Sequence, residues 1–115
     1  MNLKKILFFI IIIGLVTVTV YAQSAKPRAG QYLFESSTER HWVRIIDQGD
    51  DRFTIEIVST NRGLGNGVRI TGAYWRSGSG AIEFEYNGRT VQIRAARGGR
   101  SITCSLFGSV ILDRD

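Results

Sequence analysis

The sequence predicts an all-β protein: a small antiparallel β-barrel or sandwich of about seven to eight strands after an N-terminal signal peptide. Three observations carry this. Ile82, Phe84 and Tyr86 alternate with Glu83 and Glu85, Asn87-Gly88 follows at once, and Thr90 to Arg94 alternates again. Strict alternation gives a strand one apolar and one wet face, and Asn-Gly suits the positive φ that a type I′ turn needs at both central positions. Further short alternating segments recur along the chain between turn residues, and no stretch after residue 22 combines a helical period with caps. Finally, 115 residues support a single domain, and about eight strands close a barrel that side chains can fill.

The elements follow in order. Residues 1–22 read as the signal peptide: Lys4 and Lys5 precede an apolar run from Ile6 to Val20, and Val20-Tyr21-Ala22 offers small residues to a signal peptidase. The run falls short of the roughly 20 residues of a comfortable membrane span; an uncleaved signal anchor is the alternative. Cleavage implies a periplasmic or secreted product with no membrane contact afterwards. Residues 23–30, with Pro27, read as a disordered lead, and 31–115 as the β domain. Strands are expected over Gln31–Ser36, Arg40–Asp47, Arg52–Ser59, Val68–Trp75, the two arms of the Asn87-Gly88 hairpin, Ser101–Phe107 and Val110–Leu112. In the second strand the pattern leaves open whether Trp42, Arg44 and Ile46 or His41, Val43 and Ile45 face inward. In the fourth, Val68, Ile70, Gly72 and Tyr74 share a face, and Gly72 marks a bulge or a close backbone approach.

Charge and cysteine narrow the function. The chain carries a formal +5, which becomes +3 without Lys4 and Lys5. Its arginines alternate with acids and do not cluster with aromatics, which argues against nucleic-acid binding. Cys104 is the single cysteine, so no internal disulfide forms. It is in phase with Ile102 and Leu106, which places it on the apolar face as an inert thiol.

No catalytic, metal or cofactor site is expected. His41 is the only histidine, and it stands between Arg40 and Arg44 with no acid to orient it. One His and one Cys cannot make a zinc site. Glu83 and Glu85 read as a solvated face with Arg94 and Arg89 available across the hairpin. The glycine-rich stretch Asn61–Gly67 lacks the lysine and helix of a phosphate loop.

One resemblance arises from Thr71-Gly72-Ala73-Tyr74-Trp75, Gly80, Phe84-Glu85-Tyr86-Asn87-Gly88 and Val91-Gln92-Ile93, with Cys104 later. This resembles the C-type lysozyme inhibitor family, whose pattern is roughly S-G-A-x-Y, F-W-x-K-G and x-x-A-x-L with a late Cys. The resemblance implies a small antiparallel β-barrel. It also implies a C-type lysozyme as partner, contacted through Thr71, Tyr74, Trp75, Tyr86 and Asn87. Asn87 stands where the family has lysine and Glu85 where it has tryptophan, so the charge aimed at the lysozyme carboxylates is gone. Tyr32-Leu33-Phe34 resembles the family's Y-x-C, with Phe34 in place of the early Cys. That implies that Phe34 lies close to Cys104 and that Phe34→Cys restores a disulfide. The second reading is an exported, non-catalytic binding module whose ligand face is the Asn61–Gly67 loop with Trp42 or Trp75.

Overall fold

The computed structural model describes residues 25–61 and 63–115; the segment read as a signal peptide, residues 1–22, lies outside them. Eight antiparallel strands form a closed barrel in sequence order. They are β1 (Gly30–Glu35), β2 (Arg40–Gly49), β3 (Arg52–Ser59), β4 (Val68–Arg76), β5 (Ala81–Tyr86), β6 (Arg89–Ala96), β7 (Ser101–Cys104) and β8 (Ile111–Arg114). Closure comes from β1 and β8, which pair at Tyr32↔Arg114 and Leu33↔Asp113.

The interior is filled by one face of each strand. Tyr32, Val43, Ile45, Phe53, Ile55, Ile57, Ile82, Phe84, Val91, Ile93, Ile102, Cys104 and Leu112 are buried together. β2 therefore turns His41, Val43 and Ile45 inward, which settles the ambiguity in its pattern. Every strand pair and these core side chains lie between Gly30 and Arg114, so residues 25–115 hold a complete core of their own. Tyr32 is fully buried, and its hydroxyl donates to the Arg28 carbonyl at 2.7 Å. A buried phenol needs such a partner, and this one draws the chain before β1 onto the barrel. Pro27 there is buried, and Lys26 pairs with Asp51.

Turn chemistry follows the residues. Asn87 and Gly88 have φ of 50° and 75°, the pair of positive values a type I′ turn requires. Asp50 and Asp51, at 54° and 59°, close β2 to β3 in the same way, since a short carbonyl side chain tolerates the left-handed region.

Two elements depart from the alternation read in the sequence. In β4, Phe53 pairs with Ala73 but Ile55 pairs with Ile70, so Thr54 alone faces both Thr71 and Gly72. The extra residue is a bulge at Thr71–Gly72, and it reverses the phase of the strand. Val68 and Ile70 pack against the core before it; Ala73 is buried and Trp75 packs inward after it, while Tyr74 is exposed. The shared face of Ile70 and Tyr74 is thus corrected. The seventh strand stops at Cys104, not Phe107, because Ser105–Phe107 form a 3-10 turn. There the Ser105 hydroxyl accepts the Gln92 N–H at 3.0 Å, and Gly108 at φ 65° turns the chain away. Phe107 is buried as a result, where alternation would have chosen Leu106.

Cys104 is buried, and burial pushes its thiol up to about 11. The expected neighbour is different, however. Phe34 lies on β1 and Cys104 on β7, with β8 between them. Two strand spacings come to roughly 10 Å, beyond the roughly 7 Å that a disulfide spans between Cα atoms. Phe34 faces the His41 ring instead, at 5.9 Å.

Candidate functional site

The up-and-down topology sorts the connections between two ends. The chain enters at one end beside the Asp50–Asp51 turn, the Ser77–Gly80 turn and the Arg97–Arg100 connection. The far end carries Ser36–Glu39, the Asn61–Gly67 loop, Asn87–Gly88 and Ser105–Val110.

A groove lies on the outer face of β2 and β3 toward the far end. It is lined by Arg40, Trp42, Val58, Ser59, Thr60 and Gly65, with a volume of about 520 Å3. A second lobe of about 330 Å3 shares Trp42 and Val58 and continues past Asn66 and Gly67 to Glu56 and Arg69. The floor is built by register: Trp42 pairs with Val58 directly across the ladder. Val58 remains 41 % exposed although it is a large apolar side chain in a strand. The loop after β3 forms the wall. It is pinned by Ser59 N–H to the Leu64 carbonyl at 3.2 Å, by Thr60 N–H to the Arg40 carbonyl at 3.0 Å, and by buried Leu64. Charged groups edge the second lobe, where Glu56 meets Arg44 at 3.4 Å and Arg69 at 3.3 Å. An apolar floor with a few convergent polar groups is the usual build of a ligand site.

Beneath the loop, inside the barrel, is a Ser–His–Glu series. His41 Nδ1 lies 2.7 Å from Ser59 Oγ, and Nε2 lies 3.8 Å from Glu39 Oε2. The acid that the sequence reading did not find is therefore Glu39, two residues before the histidine and brought alongside by the β1–β2 turn. Asn61 N–H donates to Ser59 Oγ at 2.9 Å. Ser59 Oγ thus joins the backbone of the loop to the imidazole. Both side chains point into the core, at 2 % and 3 % exposure. The imidazole is stacked between Phe107 at 4.2 Å and Phe34 at 5.9 Å. The series fastens the loop that walls the groove to the core beneath it.

The five residues proposed from the resemblance spread along the β4–β5 wall. Thr71 is exposed on the bulge, Tyr74 is exposed and Trp75 half-buried toward the entry end, while Tyr86 is half-buried and Asn87 exposed at the far end. The β4–β5 ladder holds three pairs, Tyr74↔Glu83, Trp75↔Ile82 and Arg76↔Ala81. Beyond them the two strands run on without pairing, with Thr71 and Gly72 on one lip and Glu85 and Tyr86 on the other. Trp75 is engaged already: its N–H donates to the Asp51 carbonyl at 2.8 Å, and Lys26 Nζ stands 5.7 Å from its ring. Nor do Glu83 and Glu85 pair with Arg94 and Arg89. Register sets Gln92 and Thr90 opposite them. Glu83 accepts from Gln92 at 2.7 Å and Ser79 at 2.8 Å and meets Arg76 at 3.3 Å, while Glu85 accepts from Thr90 at 2.6 Å. These bonds from Gln92 and Ser79 hold the Glu83 carboxyl below the usual carboxylate range.

Of the alternative ligand face, the structure brings together the Asn61–Gly67 loop and Trp42 and leaves Trp75 apart. The signal for the groove was present in the sequence: Trp42 and Val58 are apolar residues in the outward phase of their strands. Among the described residues no three His, Cys, Asp or Glu side chains gather as a metal site requires. Comparison with protein-family models, curated proteins and solved structures finds no match to this chain.

Proposed function

We propose that the protein is an exported, non-catalytic binding module whose ligand rests in the groove on the outer face of β2 and β3. The observation that carries this reading is the Trp42–Val58 floor, left open to solvent under a loop fastened from inside the barrel. Aromatic anchors supply most of the energy in such sites, and truncating one commonly costs 2 kcal/mol or more. The test uses anilinonaphthalenesulfonate, an apolar anionic dye, as probe. Saturable binding with a single site is expected, weakened about thirtyfold by Trp42→Ala and unchanged by Tyr74→Ala. Equal binding by the native protein and Trp42→Ala overturns the reading.

A second reading follows from the barrel itself, the architecture that the lysozyme-inhibitor resemblance implies. The unpaired lips of β4 and β5 carry Thr71 and Tyr86, with Asn87 in the adjoining turn. Thr71 and Asn87 would hydrogen-bond the catalytic carboxylates of a C-type lysozyme, bonds that contribute about 1.5–3 kcal/mol each when one partner is charged. Lysozyme turbidity assays decide it. Weak inhibition is expected from the native protein, with about a tenfold gain from Asn87→Lys, because a cationic donor strengthens the bond. Absence of inhibition by both proteins at high micromolar concentration removes this reading and leaves the groove untouched.

A further inference from the structure

The entry end of the barrel carries a cationic face that the groove does not explain. Arg28, Arg97, Arg100 and Arg114 are all exposed, and their contacts bind them into one patch. The Arg28 guanidinium lies over the β6–β7 connection, its Nε 3.6 Å from where a Cβ on Gly99 would sit. Arg114 Nη2 donates to the Ala29 carbonyl at 3.2 Å, and the Arg114 N–H donates to the Arg100 carbonyl at 3.2 Å. Arg97 meets Asp113 at 3.1 Å, a carboxylate that also accepts from Ser101 at 2.6 Å. Asp115 lies beside it, its N–H donating to the Gln31 carbonyl at 2.9 Å. Within the patch four guanidinium groups thus stand with Asp113 and Asp115, while Asp50 and Asp51 lie in the β2–β3 turn of the same end, Asp51 paired with Lys26. Among the described residues, only Arg97 of the four has a carboxylate within ion-pair distance.

The course of the chain says what this face meets. The apolar run Ile6–Val20 ends eight residues before Arg28, a reach of at most about 28 Å when fully extended. Where that run is kept as the uncleaved anchor, it brings the entry end of the barrel, and this patch with it, to the lipid surface. Basic residues beside a membrane segment are drawn to anionic headgroups, and the attraction decays within a Debye length. We propose that the Arg28–Arg97–Arg100–Arg114 face docks the barrel end-on against anionic phospholipid. Docked in this way, the Asn61–Gly67 loop and the groove point away from the membrane, because they belong to the opposite end.

The test uses residues 25–115, which hold the whole described core, so that the apolar run does not itself partition. Co-sedimentation is measured with vesicles of phosphatidylglycerol and phosphatidylcholine, and with phosphatidylcholine alone, at low and high salt. Binding is expected only to the anionic vesicles and is lost at high salt. Arg100→Gln should weaken it about fivefold and Arg28→Gln with Arg100→Gln about thirtyfold, the size expected for one and two surface-facing basic residues. Arg89→Gln removes the same charge at the far end and should leave binding unchanged. Equal partition into both vesicle types overturns the proposal, as does an equal loss in Arg89→Gln, which would reduce the effect to net charge. A single-stranded oligonucleotide that competes as strongly as the vesicles would replace lipid with nucleic acid as the partner.

Discussion

Phe107→Ala should lower the stability of the barrel by about 3–5 kcal/mol, the range for removing a buried phenylalanine together with the cavity left behind. Phe107 is 7 % exposed and lies 4.2 Å from the His41 ring at an interplanar angle of 15°. Its removal strips one face of an imidazole that is itself buried and opens the far end above Ser59. Small domains hold only about 5–15 kcal/mol in total, so a fifth or more of the stability is at stake. For a domain of this size the loss corresponds to a fall in Tm of roughly 15–30 °C, read by circular dichroism on heating. His41→Ala in the same background should cost less than it does alone, because the stacked pair is already broken. A Phe107→Ala protein that melts within a few degrees of the native one would show that the stack contributes little.

Gly72 should tolerate both substitution and deletion. A Cβ at Gly72 meets nothing within 4 Å, and its φ lies outside the positive range that excludes other residues. Gly72→Ala should therefore be neutral or raise stability by up to about 1 kcal/mol, by restricting the unfolded chain. Deleting Gly72 removes the extra residue of the bulge and leaves Val68, Ile70, Ala73 and Trp75 in one unbroken alternation, all four still inward. Phe53 stays opposite Ala73 and Ile55 opposite Ile70, with Thr71 as the single partner of Thr54. What the deletion removes is the local bend and added twist of the bulge. The deletion should therefore still unfold cooperatively on heating, below the alanine variant only by the strain of straightening β4. Loss of cooperative unfolding in the deletion would show that closure of the barrel depends on the bend at Thr71–Gly72.

The bulge also marks where the sequence was readable and where it was not. Gly72 announced an irregularity in a strand, but alternation alone could not say that the phase reversed there. Tyr74 consequently read as core and Trp75 as surface. β5 and β6 were legible throughout, because one apolar residue in two and an Asn-Gly turn leave a single register. The burial of Cys104 was legible for the same reason. Its neighbours were not, since which strands flank β7 depends on how the ends of the sheet meet. Trp42 and Val58 were visible as apolar side chains, yet their meeting as a groove floor is a product of the β2–β3 register. Glu39 was overlooked beside His41 because a turn, and not a strand period, brings it there.

The order of the strands has a further consequence for how the chain folds. Seven of the eight ladders join neighbours in sequence, and each can form as a hairpin in about 1–10 μs. Only β1 and β8 must find each other across almost the whole domain, and two register pairs reward them for it. The entropic cost of that closure rises slowly with loop length, as about (3/2)RT ln n, but it comes due after the meander is built. Until then both strands present open edges, the state in which a sheet joins a neighbouring molecule. Exchange of β1 or β8 between two copies before closure is the misassembly to which this topology is most exposed.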